Sequence, residues 1–217
     1  MHSLELIKSL DTSLFLFLNG LHTSFFDGFM YAFSAKLTWI PLYASVLYII
    51  IRHWKKDAVW IALALILCIV ISDQVSSGLI KHLVHRLRPS QTADMNAMVH
   101  LVHDYRGGLY GFVSSHAANA VGFALLSSLL FKQRFYTIAV FSWAVLISYS
   151  RIYLGVHYPL DIVGGAMVGV MAALICYWAI RKYRLDLKPV ESDLQVKIPV
   201  FVLGLSLMGI IIYSYVA

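Results

Sequence analysis

Residues 58–80 read AVWIALALILCIVISDQVSSGLI, and residues 81–89 follow directly as KHLVHRLRP. The first stretch carries one formal charge, Asp73, and is long enough to cross a bilayer as a helix, which takes about 20 apolar residues. The second places Lys81, Arg86 and Arg88 with His82 and His85 within eight positions. Such a passage from hydrocarbon to dense cations marks a transmembrane helix reaching the membrane surface.

Working outward, comparable apolar runs lie at 24–51, 117–131, 135–150, 160–180 and 198–216. The expected fold is therefore an all-α integral membrane helical bundle of about six transmembrane helices. Residues 3–18, with Leu4, Leu6, Ile7, Leu10, Leu14, Phe15 and Phe17 among Glu5, Lys8 and Asp11, read as an added N-terminal amphipathic helix at the interface. A second reading breaks the stretch 12–51 near Ser34–Lys36 into two short spans, giving seven. Asn19, His22 and Asp27 speak against a true span across its first half, because an unpaired acid costs about 2.5–3.5 kcal/mol at a helix centre. Six spans use nearly all of the 217 residues, so residues 1–217 are expected to form a single domain. The N-terminus has neither a basic leader nor a small-residue cleavage site, and no cleaved signal peptide is expected.

Composition agrees. Hydrophobic residues make up 60% of the chain and charged ones 13%, against about 25% charged in soluble domains. This excludes a disordered tail, a coiled coil and a nucleic-acid-binding module despite the +6 net charge. The basic excess instead sits in short loops: Arg52, Lys55 and Lys56; Lys132 and Arg134; Arg181, Lys182, Arg184 and Lys188. The positive-inside rule puts these in the cytoplasm. The connections at 81–115 and 150–161 then face the periplasm or exterior of a cytoplasmic (inner) membrane. Trp39, Trp54, Trp60 and Tyr183 read as interfacial anchors or core filling, Cys68 and Cys176 as buried packing residues, and Gly164, Gly165 and Gly169 as a face for close helix packing. Asp73 reads as a polar packing contact with Ser72 or a neighbouring helix.

The unusual chemistry gathers on the outer connections. Lys81 and Arg88 stand seven apart, two helical turns on one face, before Pro89 stops the helix. They fit either a phosphate clamp or a snorkelling basic belt. Ser114 and Ser115 suit a helix N-cap, whose free N–H groups and dipole form a natural anion site, and His116 stands beside them as a proton donor or an interfacial histidine. Pro159 suits the first turn of the next helix. That places Asp161 one turn inside it, where it can fix the tautomer of His157. Three cations (Lys81, Arg88 and, in the third connection, Arg151), two histidines and a carboxylate so placed are what a phosphoryl group needs. No cluster supplies the several carboxylates that would hold Mg²⁺, so no cofactor or metal is expected.

Lys81-(six residues)-Arg88-Pro89, Ser114-Ser115-His116 and Ser150-Arg151-(five residues)-His157-(three residues)-Asp161 resemble the three-part signature of the type-2 phosphatidic-acid phosphatase superfamily. The middle motif departs from the family's usual Pro-Ser-Gly-His, reading Val113-Ser114-Ser115-His116. The resemblance implies His157 as nucleophile, Asp161 as its orienting partner and His116 as the acid that protonates the leaving oxygen. Lys81, Arg88, Arg151, Ser114 and Ser115 are implied to bind phosphate. Hydrophobicity excludes the family's soluble haloperoxidase branch.

The function these features imply is a membrane lipid phosphatase acting on an anionic lipid phosphate or diphosphate. Undecaprenyl diphosphate is the first expectation, with phosphatidylglycerophosphate, phosphatidic acid and lipid A phosphates as competitors, and Arg86 or Arg106 as an extra cation for a diphosphate. Transfer of the phosphoryl group to a lipid hydroxyl, or head-group binding without catalysis in a translocator, are the rivals.

Overall fold

The computed structural model describes residues 2–95, 97–183, 187–188, 190 and 193–216, so Arg184 of the third basic loop lies outside the described residues. Its elements are helical: α1 (His2–Asn19), α2 (Ser24–Ser34), α3 (Ile40–Trp54), α4 (Ala58–Asp73), α5 (Lys81–Val84), α6 (Ser115–Phe131), α7 (Arg134–Tyr153), α8 (Pro159–Tyr183) and α9 (Asp193–Val216). Four stretches are long and apolar enough to cross a membrane, namely Lys36–Val84, Arg134–Tyr153, Pro159–Tyr183 and Gln195–Val216, and Ser115–Phe131 is a shorter apolar helix. The first is 49 residues long, more than twice a span. The chain turns back on itself at Lys55–Asp57, where Lys55 adopts φ 48°. Trp39, just before α3, and Tyr43 within it consequently share a cavity wall with Ile69 and Asp73 of α4. Among the described residues this gives six crossings: α3, α4, α6, α7, α8 and α9.

The expected single helix over 24–51 is broken at the position the second reading named. Ala35 is extended, the Trp39 indole N–H donates to Phe33 O at 2.8 Å, and Thr38 Oγ1 donates to Ala32 O at 2.8 Å. Two of the last carbonyls of α2 are thereby satisfied by side chains, and Pro41, which lacks an N–H, opens α3. At 11 residues α2 is too short to span, so the break adds no seventh crossing. Its Asp27 is paired, with Oδ1 accepting from Tyr153 OH at 2.7 Å and lying 2.8 Å from His100 Nε2.

The three basic connections meet at one end. His53 Nε2 contacts Lys188 O at 3.1 Å, and Gln133 Nε2 donates to Val190 O at 2.7 Å. The loops carrying the three motifs lie at the other end. Helices α4, α6, α7 and α8 form the centre, and α9 covers α2 and α3. Cys68 and Cys176 are buried and unbridged, as expected. Trp39 and Trp54 belong to the core, the core-filling side of their reading, whereas Trp60 and Tyr183 are exposed.

The glycine face of α8 presses on α6. A Cβ on Gly165 would collide with the Ser114 carbonyl oxygen, and one on Gly169 would come within 2.9 Å of Gly122 N. Both obstacles are backbone, so neither can yield by rotamer change. Gly165→Ala is expected to cost at least about 1–3 kcal/mol, the usual range for overpacking. A thermal melt in detergent checks this, and an unchanged midpoint would refute the contact.

Candidate active site

The second span ends differently from the sequence expectation. A π-helical turn over Gln74–Ile80 leads into α5, and His85 in the left-handed region (φ 51°) ends the helix at Val84. Arg88 is therefore off the helix altogether, extended as Pro89 requires (φ −70°, ψ 154°). The chain instead pairs with the strand-like segment before motif two: Arg88 N donates to Leu109 O at 3.1 Å and Gly111 N to Arg86 O at 2.8 Å. Lys81 stays on the last turn, with Nζ 3.3 Å from Ser77 Oγ. His82 and His85 are exposed.

Motif three folds as its sequence directs. Pro159 opens α8, and Asp161 is fully buried one turn inside. Its Oδ2 accepts from Tyr158 N at 2.9 Å and lies 3.4 Å from His157 Nδ1, a long contact for a hydrogen bond. On the other side of the ring, His157 Nε2 is 3.3 Å from Arg88 Nη1. Arg88 is held by the carbonyls of Tyr110 (3.1 Å) and Val156 (3.3 Å). Burial, and then the charges of Arg88, Arg151 and Lys81, hold the His157 imidazole well below its usual range, against a hydrogen bond to the Gly111 backbone that pulls it up. A neutral ring between a carboxylate and a guanidinium has the electronic form a nucleophile needs.

Motif two starts α6 as expected. Ser114 is the N-cap, its buried oxygen accepting from Ala117 N at 3.4 Å, and Ser115 is the first helical residue. The Ser114 oxygen is thus engaged in capping, which leaves its hydroxyl proton as the group available to a phosphate. His116 lines two adjoining cavities, one of which it shares with Arg151 and Tyr105. Arg151, 3% exposed, donates from Nη1 to Ser34 Oγ and from Nη2 to Tyr105 OH at 3.1 Å. The charge of Arg151, with its hydrogen bond and the charges of Arg88 and Lys36, outweighs burial and lowers the Tyr105 phenol below its usual range.

Arg86, named as a candidate additional cation, is engaged by the protein's own acids. It bridges two carboxylates, Nη1 to Asp161 Oδ1 at 3.1 Å and Nη2 to Asp11 Oδ2 at 2.6 Å, while stacking 4.0 Å over the Tyr158 ring. Asp11 is 4% exposed, and its other oxygen accepts from Leu160 N at 2.9 Å. Arg106 is engaged with Ser90, donating from Nη1 to its carbonyl at 2.8 Å. Asp73 lines the cavity beside His116.

Sequence reasoning missed four residues: Asp11 on the amphipathic helix, Ser34 and Lys36 at the break between α2 and α3, and Tyr105 in the outer loop. An acid on a helix that otherwise floats in an interface was the available signal for Asp11. Nothing in the sequence marked Tyr105.

Residues 57–185, which hold all three motifs, match the model of the PAP2 superfamily. The chain belongs to the PAP2 superfamily. Among PAP2 relatives, the lipid A 4'-phosphatase of Bacteroides thetaiotaomicron is 40% identical over 98% of this chain and 99% of its own length. The undecaprenyl-diphosphatase of Sulfolobus acidocaldarius is 28% identical over 77% of this chain and 73% of its own. The crystal structure of Aquifex aeolicus LpxE superposes with a TM-score of 0.59 at 26% identity, covering 77% of this chain and 94% of that one. The protein is thus a multi-pass membrane PAP2 lipid phosphatase, a hydrolase of phosphoric ester bonds.

Proposed function

We propose that the protein removes a phosphate from a lipid A-type saccharolipid, at the outer face of the inner membrane, through a phosphohistidine on His157. The observation that carries the choice of substrate is the 40% identity, end to end, with a lipid A 4'-phosphatase. Undecaprenyl diphosphate, first among the sequence expectations, drops behind it because that likeness is lower and shorter. The assignment of the face rests on the three basic loops gathered at the end opposite the motifs. The whole chain acts as one domain, since α1 reaches into the site through Asp11.

In the reaction, Arg88, Arg151, Lys81, Ser114 and Ser115 hold the nonbridging oxygens. His157 Nε2 attacks phosphorus while the bond to the sugar oxygen breaks, and His116 gives that oxygen its proton. In the second half His116 takes a proton from water, whose oxygen attacks phosphorus, and the P–N electron pair returns to His157. Positive charge from the protein stabilises the phosphoryl group throughout.

The test is phosphate release by the purified, full-length protein in detergent with a chelator present, across lipid A, undecaprenyl diphosphate, phosphatidylglycerophosphate and phosphatidic acid. Release from lipid A at the highest kcat/KM is expected. A preference for any of the others overturns the substrate, and abolition by the chelator overturns the metal-free chemistry.

The His157 environment sets a pH expectation. The ring is kept neutral well below pH 6.5, so its protonation does not cut kcat/KM as pH falls through 6.5. Arg88→Gln removes one of the charges responsible, raises the folded-state pKa of the ring and moves the acid limb of kcat/KM to higher pH. An acid limb at the same pH in both proteins counts against His157 as the titrating base.

A further inference from the structure

Arg151 is a buried cation without a counter-ion. It is 3% exposed, and among the described residues no carboxylate lies within ion-pair reach of it. Arg86 shows the ordinary arrangement, its charge matched by Asp11 and Asp161. The cavity of about 360 Å³ that Arg151 lines with Lys36, Tyr105 and His116 adds a second cation and no acid. A charge taken out of water is costly unless paired, so an anion entering this cavity supplies the partner that the chain itself withholds.

Two hydroxyls hold the guanidinium. Nη1 donates to Ser34 Oγ and Nη2 to Tyr105 OH at 3.1 Å, and the Tyr105 ring centre lies 5.5 Å from the guanidinium carbon. Neither residue belongs to the three motifs. Ser34 closes α2 at the break where Thr38 and Trp39 take up the carbonyls of Ala32 and Phe33, and Tyr105 comes from the long outer connection. Acceptors on two different nitrogens fix the plane of the fork. Because both are hydroxyls, the positive charge stays in force, whereas a carboxylate in either place would orient the group and cancel it. A cation set in position beforehand and left uncompensated stabilises a phosphoryl anion with little reorganisation.

We propose that Ser34 and Tyr105 are positioning residues for the phosphoryl reaction, orienting Arg151 without neutralising it. The proposal rests on the phosphate-binding role given to Arg151 above.

Its test uses the purified full-length protein in detergent. Binding of orthovanadate, a phosphate analogue, is read as the concentration that gives half the rise in melting temperature, and kcat/KM is measured on the lipid the wild type turns over fastest. Tyr105→Phe keeps the ring, and Ser34→Ala changes one atom. Each is expected to weaken vanadate binding and to lower kcat/KM by about 10–100-fold, the worth of a hydrogen bond to a charged group. Ser34→Thr, which keeps a hydroxyl, is expected to retain most of both. Ser34→Asp restores an acceptor, so its melting temperature without vanadate is expected at or above that of Ser34→Ala, while its vanadate binding and kcat/KM fall below those of Ser34→Ala. A residue serving the fold alone would move stability and activity together. In an Arg151→Gln background, Tyr105→Phe is expected to add less than about a threefold loss, because the group it positions is gone. Folded Tyr105→Phe and Ser34→Ala proteins with wild-type binding and turnover, beside an Arg151→Gln protein that loses both, overturn the positioning role and leave Arg151 as a phosphate ligand. Wild-type values in Arg151→Gln overturn that ligand role itself, and with it the proposed chemistry. If Ser34→Asp does not fold, Tyr105→Phe with and without Arg151→Gln decides.

Discussion

Replacing His157 by alanine lowers phosphate release by at least about 10³-fold, with a melting temperature close to that of the wild type. The magnitude is that of losing a covalent nucleophile, whose removal disables the unit acting with it and leaves binding and electrostatics to give a residual rate. The ring is 1% exposed and lies between Arg88 and Asp161, so truncation leaves those two groups in place but removes the attacking nitrogen. The measurement is steady-state release of phosphate, together with trapping of labelled phosphate on the protein under alkaline quench. The wild type retains label and His157→Ala does not. Turnover by the variant within tenfold of the wild type would assign the nucleophile elsewhere, with His116 as the next residue to examine.

Replacing Arg86 by alanine acts on stability first. Arg86 is the common partner of Asp11 and Asp161, which are 4% and 0% exposed. Removing one partner of a buried ion pair costs about 3–5 kcal/mol because the other charge is stranded, and here two carboxylates are stranded at once. For a chain of this size the corresponding drop in melting temperature is roughly 10 °C. Arg86→Lys recovers only part of it, since one ammonium lacks the planar fork that reaches both acids. Asp11→Asn combined with Arg86→Ala costs less than the sum of the two single changes, because the second removes a partner already lost. A melting temperature of Arg86→Ala within about 2 °C of the wild type would show that the bridge holds nothing together.

The sequence disclosed those parts of the molecule that local chemistry specifies. Ser114 as N-cap, Pro159 as the opening of α8 and Asp161 one turn further on are short-range features, and each is where the residue types put it. The glycines of α8 likewise declared a close contact, now seen against the backbone of α6. What stayed hidden was long-range. Arg86 looked like one cation in a row, and only the folded chain brings Asp11, 75 positions earlier, to its guanidinium. The second reading placed a break in the run 24–51 near Ser34–Lys36, but the groups that end α2 there, Thr38 and Trp39, are apolar or neutral and register in hydropathy as part of the span. The helical reading of Lys81 and Arg88 failed for a related reason: Pro89 marks a stop, but the left-handed turn at His85 ends the helix four residues sooner.

One feature of α1 sets a geometric condition on catalysis. Leu6, Leu10, Leu14 and Phe17 are exposed along it, while Asp11 and Phe15 face inward, Phe15 against the ring of Tyr158 at 5.3 Å. A helix with that division settles at the boundary between acyl chains and water. Through Asp11 and Arg86 it is fastened to the carboxylate beside His157, so the depth at which the helix floats is also the depth of the His157 ring. On the proposed site the enzyme thereby carries its own plumb line: phosphates presented at that level are expected to meet the histidines, and those held nearer the bilayer midplane, or free in solution above it, to pass them by.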